Sequence, residues 1–146
     1  MKPEFRELRL TQLDRSLQPF AGTLSLSRPR RGWLRAVREA LGITKREVAL
    51  TMRKAPQSIA SFEKSEEAYR ITLETLRRYA EALDCELVYA IVPRTGSLNE
   101  LAENRARKKV ESDVLAVEHT MALEDQATHG VQEKIARETQ RILKKP

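Results

Sequence analysis

Two helical patterns in this sequence are separated by almost no chain. The stretch "KREVALTMR" (45–53) carries Val48 and Met52 on one face, and a second helix can start at Pro56. Thr44 can cap the first of them, with Glu47 three residues on in capping-box spacing. Pro56 suits the first position of the second, and it biases Ala55 towards the extended backbone of a cap residue. Similar punctuation brackets the pair. Upstream, "WLRAVREALG" (33–42) places Leu34, Val37 and Leu41 on one face and stops at Gly42. Downstream, Thr72 caps "LETLRRYAEALD" (73–84), whose stripe is Leu73, Leu76, Ala80 and Leu83. Residues 32–84 therefore read as four short helices with tight connections.

The flanks are simpler. Residues 5–20 carry Leu10, Leu13, Leu17 and Phe20 at helical spacing, and 21–31 form a Gly/Ser/Pro linker with the basic end "SRPRR" (27–31). Residues 86–92, "ELVYAIV", alternate Leu87, Tyr89 and Ile91 with Val88, Ala90 and Val92 before Pro93, which predicts a β-strand. A lone strand leaves its backbone groups unpaired. The expected remedy is pairing with the same strand of a second copy, with Leu87, Val88, Tyr89, Ala90 and Ile91 forming the dimer contact. Burial under helices is the alternative. After the turn at 93–96, residues 97–128 read as a long helix with the stripe Leu98, Ala102, Ala106, Val110, Val114, Val117 and Met121, broken at 129–130 and followed by a last helix at 131–143. The expected class is mainly α: a helix-turn-helix domain with one C-terminal dimerising β-strand (85–95) and a long helical extension (97–146).

Charge is divided between the halves. Residues 1–70 hold 15 Lys/Arg against 8 Asp/Glu, and residues 71–146 hold 12 against 13. A basic half joined to a near-neutral one points to a polyanion on one side only. A basic solvated surface is the plainer reading, and charge alone does not separate the two. The absence of any apolar run long enough for a membrane span, of a secretory leader and of a second cysteine beside Cys85 makes a cytoplasmic protein without membrane association the expectation.

The spacing of the second and third helices is that of a helix-turn-helix. In "VREALGITKREVALTMRKAPQSIASFEKSE" the sequence resembles the Xre/Cro family of phage-repressor-like DNA-binding domains. The resemblance implies a small residue in the middle of the second helix (Ala49), internal positions at Leu34, Val48, Met52, Ile59 and Phe62, and a structural ion pair between Arg38 and Glu63. Two departures stand out. Arg53 occupies the turn where the family has glycine, and Ala55 stands where a Ser or Thr cap is usual. The reading helix would then present Pro56, Gln57, Ser58 and Ser61 to double-stranded DNA. Lys45 matches a family position that contacts phosphate, and Lys54, Lys64 and Arg70 flank the same surface. "SRPRR" reads either as an arm along the minor groove or as a solvated linker, with the linker favoured.

Three further blocks, "RPRRGWLRAVREALG", "ITLETLRRYAEALDCELVYAIVP" and "HTMALEDQA", resemble a narrower group, mobile mystery protein A. That resemblance implies an antitoxin-like dimer that represses its own operon from an inverted-repeat operator and has a Fic-domain protein as partner. Fic inhibitors carry a helix with Ser or Thr, three residues, then Glu followed by Gly or Asn. Thr120 and Glu124 have that spacing, but Asp125 departs from it. A charged helix end packed through Met121 and Leu123 is the alternative for the same residues. For the protein as a whole, the alternative is a stand-alone phage or mobile-element repressor without a toxin partner. No HExxH, CxxC, phosphate-cradling glycine loop or GxSxG occurs, and His119 and His129 have no cysteine nearby. The expectation is a non-enzyme without metal or cofactor.

Overall fold

The structure, a computed structural model, describes residues 2–121 and 131–145. Its helices are α1 (Pro3–Leu17), α2 (Trp33–Ala40), α3 (Lys45–Met52), α4 (Pro56–Glu67), α5 (Leu73–Ala82), α6 (Leu98–Met121) and α7 (Val131–Leu143), with short 3-10 turns at Gln18–Phe20 and Thr23–Ser25. The chain divides into two compact units, one made of Gly22–Ala90 and the other of Met1–Ala21 together with Ile91–Pro146.

In the Gly22–Ala90 unit, four helices too short to be stable alone gain their stability from a common core. That core is Leu34, Val48, Ala49, Met52, Ile59, Tyr79 and Leu83, with Val37, Phe62 and Leu76 packed at its edge. Each start signal read above has a visible cause. The Thr44 hydroxyl accepts from the Glu47 amide while the Glu47 carboxylate accepts from the Thr44 amide. At α5 the Thr72 hydroxyl accepts from the Thr75 amide. The start of α2 is capped from a distance. Trp33 and Leu34 donate their amides to the Glu66 carboxylate at 2.8 and 2.9 Å, so a side chain of α4 closes the N-terminus of α2. Leu41 and Leu73, expected on inward faces, are instead mostly exposed. Leu41 follows the last residue of α2 and Leu73 is the first of α5, so neither lies on the packed turn of its helix.

The other unit brings the two ends of the chain together. Helices α6 and α7 pack through Ala106, Val110 and Ile135, and α1 lies against α6. Asp14 of α1 caps α6: its carboxylate accepts from the amides of Leu98 and Asn99 at 2.7 and 3.1 Å and from the Asn99 side chain. A carboxylate placed there also meets the positive end of the α6 dipole. Of the α6 stripe, Ala106 and Val110 near the middle are buried, and Val117 is exposed.

The expected β-strand is absent. Among the described residues there is no strand, and residues 85–93 carry no regular secondary structure. The alternation in "ELVYAIV" favours extended backbone, but a strand also needs a paired neighbour, and the described residues provide none. Of the residues expected at the contact, Val88, Tyr89, Ala90 and Ile91 are exposed and Leu87 is half-buried.

Gly32 is buried and lies close against Glu66. It has φ +88° and ψ 162°, a region essentially reserved for glycine, and an added Cβ would lie 2.6 Å from a Glu66 carboxylate oxygen. Gly32→Ala is expected to destabilise the protein by roughly 1–3 kcal/mol, measured by urea unfolding against wild type.

Candidate nucleic-acid interface

The outward presentation of α4 depends on how its inner side is held. Ile59 is fully buried, and Ala49 is small and buried on α3. Glu63 is the central tie. Arg38 of α2 donates from Nε to Glu63 Oε1 at 2.6 Å and from Nη2 to Oε2 at 3.3 Å, a bidentate pair. The same guanidinium donates from Nη1 to the Ile43 carbonyl at 3.0 Å, and Tyr79 of α5 donates its hydroxyl to Glu63 Oε1 at 2.6 Å. One carboxylate on α4 thus joins α2 and α5. Among the described residues no buried side-chain nitrogen or oxygen lacks a partner.

The titration of this network follows from its geometry. Burial pushes the Glu63 carboxyl up, but the hydrogen bonds from Arg38 and Tyr79, with the charges of Arg38 and Lys45, outweigh it and leave the pKa lowered. The hydrogen bond to Glu63 outweighs burial at Arg38 and raises its pKa. Burial, then the bond to Glu63, raises that of the Tyr79 hydroxyl.

The turn that introduces α4 is built without its two usual residues. Arg53 takes the left-handed conformation at φ 54° and ψ 47°, and the following Lys54 amide reaches back to the Ala49 carbonyl at 2.9 Å. Left-handed backbone costs a non-glycine residue about 1–2 kcal/mol. In return, the position carries an exposed cation. Ala55 is extended at φ −74° and ψ 148° and offers no side-chain cap, while Pro56 opens the helix. Pro56 has no amide hydrogen and the Ser58 amide donates to the Ala55 carbonyl at 2.9 Å, so the missing cap leaves the Gln57 amide open to an acceptor from outside, such as water or phosphate.

The residues singled out from the sequence sit as follows. Pro56, Gln57 and Ser61 are exposed along the outward side of α4, and Ser58 is half-buried. Lys64 is exposed further along the helix, Lys54 is exposed in the turn, and Arg70 is exposed in the loop after α4. Lys45 is half-buried at the first position of α3, near enough to Glu63 to lower its pKa. Three contributors were not among the expected residues. Tyr79 lies three residues after Leu76 and four before Leu83, spacing that places it on the buried stripe. Glu66 lies three residues after Glu63, one turn along the same face. Arg28 contacts the far end of α4 and has no local signal.

Residues 34–89 match the model of a helix-turn-helix family. This stretch is an Xre-like helix-turn-helix domain, and families of this kind are DNA-binding and regulatory. The match takes in α2 from its second residue, all of α3, α4 and α5, and the residues after α5 up to 89. It does not reach the narrower mobile mystery protein A grouping. No curated protein and no solved structure matches the chain. Among the described residues, no His, Cys, Asp or Glu side chains cluster so as to hold a metal ion, and no helix is long and apolar enough to cross a membrane.

Removing Arg38 would strand a buried carboxylate, so Arg38→Ala is expected to cost about 3–5 kcal/mol in chemical denaturation. The Glu63 contribution has a defined pH window. Because its folded pKa is lowered, the stabilisation is fully present above the ordinary value of 4.5 and is lost as pH falls through the lowered value. Glu63→Gln should therefore be less stable than wild type at neutral pH, and the gap should narrow as the pH falls below 4.5 towards the lowered value.

Proposed function

We propose that the protein is a sequence-specific transcriptional repressor of its own operon, acting as an antitoxin-like dimer. The observation that carries this is the two-sidedness of α4. Its inner side is tied to two other helices through Glu63, while Pro56, Gln57 and Ser61 stand exposed over its first turns. A helix so held can enter a major groove without losing order. Gln57 has the amide needed for a bidentate contact to adenine, Ser61 can serve either base edges or phosphate, and Pro56 offers apolar contact to a thymine methyl. Lys45, Lys54, Lys64 and Arg70 supply phosphate contacts, which give affinity and salt dependence rather than sequence preference.

Dimerisation is part of the proposal. The exposed apolar side chains of Val88, Tyr89 and Ile91, with Leu87 and Ala90, support contact with a second copy. A twofold dimer would read an inverted repeat with half-sites about one helical turn apart.

A Fic-domain partner rests on the three resembling sequence blocks alone. Glu124 lies outside the described residues, and the Thr120 hydroxyl is engaged within its own helix, donating to the Ala116 carbonyl at 2.9 Å. The second reading is a stand-alone repressor without a toxin partner, which the two-sided α4 serves equally well. A Fic reading frame beside the gene would support the partner, and Glu124→Ala is expected to relieve inhibition of that enzyme. Unchanged inhibition would remove Glu124 from the mechanism.

The DNA reading is tested by gel shift with the segment immediately upstream of the protein's own coding sequence. Wild type should bind it in preference to unrelated DNA, and no binding at low salt would overturn the proposal. Gln57→Ala should cost about 1–3 kcal/mol and relax preference at one position of each half-site. Lys64→Ala should weaken all sequences alike and reduce the salt slope by about 1.

A further inference from the structure

We infer that residues 28–32 form a fixed phosphate-binding loop at the C-terminal end of α4, with Arg30 and Arg31 as its contact groups and the phosphodiester backbone of DNA as its ligand. The inference rests on the DNA-binding reading of α4 and adds an element to it.

Both ends of this segment are fastened to α4 or to the loop that follows it. At one end Arg28 donates from Nη1 to the Glu66 carbonyl at 3.0 Å and from Nη2 to the Glu67 carbonyl at 3.2 Å. Its guanidinium also stacks 4.0 Å from the centre of the Tyr69 ring. At the other end the Glu66 carboxylate binds the amides of Trp33 and Leu34, and Gly32 is packed against it. Between the two anchors the Gly32 amide donates to the Pro29 carbonyl at 2.9 Å and closes a tight turn. Pro29 restricts the backbone further by fixing φ. The segment is thus a short closed loop, unlike the solvated linker favoured by its composition.

The charges left over are oriented outward. Arg28 is committed to carbonyls and to the Tyr69 ring, whereas Arg30 and Arg31 are exposed and, among the described residues, hold neither an ion pair nor a hydrogen bond through their side chains. Arg70, next to Tyr69, is also exposed, so three uncommitted arginines gather at one end of α4. The acidic groups on that side include Glu66, bound to two amides, the exposed Glu67, and the exposed Glu86, which lines a pocket with Trp33 and Glu66. The C-terminus of a helix carries negative partial charge and would repel a phosphate. Arg28 covers that end with a guanidinium and makes the site acceptable to an anion. Tyr69 is 80% exposed and held at φ 57°, a large aromatic displayed beside the arginines.

The test uses the full-length protein, a duplex from immediately upstream of its coding sequence and an unrelated duplex of equal length. Fluorescence anisotropy gives Kd across a salt series. Replacing both arginines, Arg30→Gln with Arg31→Gln, touches no internal contact and should leave the unfolding midpoint unchanged. It should flatten the slope of log Kd against log salt by about 2 on both duplexes, with the ratio of their affinities preserved. A slope equal to wild type would overturn the inference while leaving the DNA reading intact. Failure of wild type to bind either duplex would overturn both. Arg28→Lys keeps the charge but loses the two-carbonyl fork. It should weaken binding about fivefold with little change in slope, because the loop must then be ordered on binding. An unchanged Kd for that variant would refute the fixed character of the loop.

Discussion

Everything the helical core presents to the outside depends on one buried carboxylate. Glu63 accepts from Arg38 on α2 and from Tyr79 on α5, and it belongs to α4, so three of the four helices of that unit meet on its two oxygens. Such a network adds less to net stability than its short distances suggest, because both charges give up water to enter the core. Its value lies in direction. Apolar side chains of the right volume tolerate small rotations of a helix, whereas a bidentate guanidinium and a phenol hydroxyl fix both rotation and height. The exposed side of α4 inherits that orientation.

Helix starts were the most legible part of the fold, because each rests on a local cause. Thr44 with Glu47, Thr72 alone and Pro56 announce α3, α5 and α4 through bonds made within a few residues. The start of α2 is different. Its cap, Glu66, comes from more than thirty positions downstream, and only the tertiary arrangement brings it there. The strand failed for the opposite reason. The residues of 86–92 favour extended backbone, but whether such backbone becomes a strand is decided by a neighbour that these residues do not encode.

The same division runs through the candidate interface. Side chains that point outward on α4 could be placed from helical periodicity, since exposure and burial alternate with a known repeat. The group that stiffens them could be found only in half. Arg38 and Glu63 follow a resemblance, while Tyr79 was hidden by the ambiguity of an aromatic that serves both as core filler and as hydrogen-bond donor. The anchoring of Arg28 was beyond any local reading. Its partners are main-chain carbonyls, which every residue carries, so side-chain pattern holds no trace of them.

The cap that Asp14 places on α6 has a consequence for the order in which the molecule can form. Its acceptor oxygens wait for amides 84 and 85 positions later in the chain. During synthesis α1 emerges well before α6, the helix it lies against, and the whole of the helix-turn-helix unit is made between them. The later-made unit can close while the first helix still lacks its partners, since domains tend to fold as they emerge. Helix α1 is thus made long before its cap on α6 can form, and a nascent chain stalled before residue 98 would carry it without that partner.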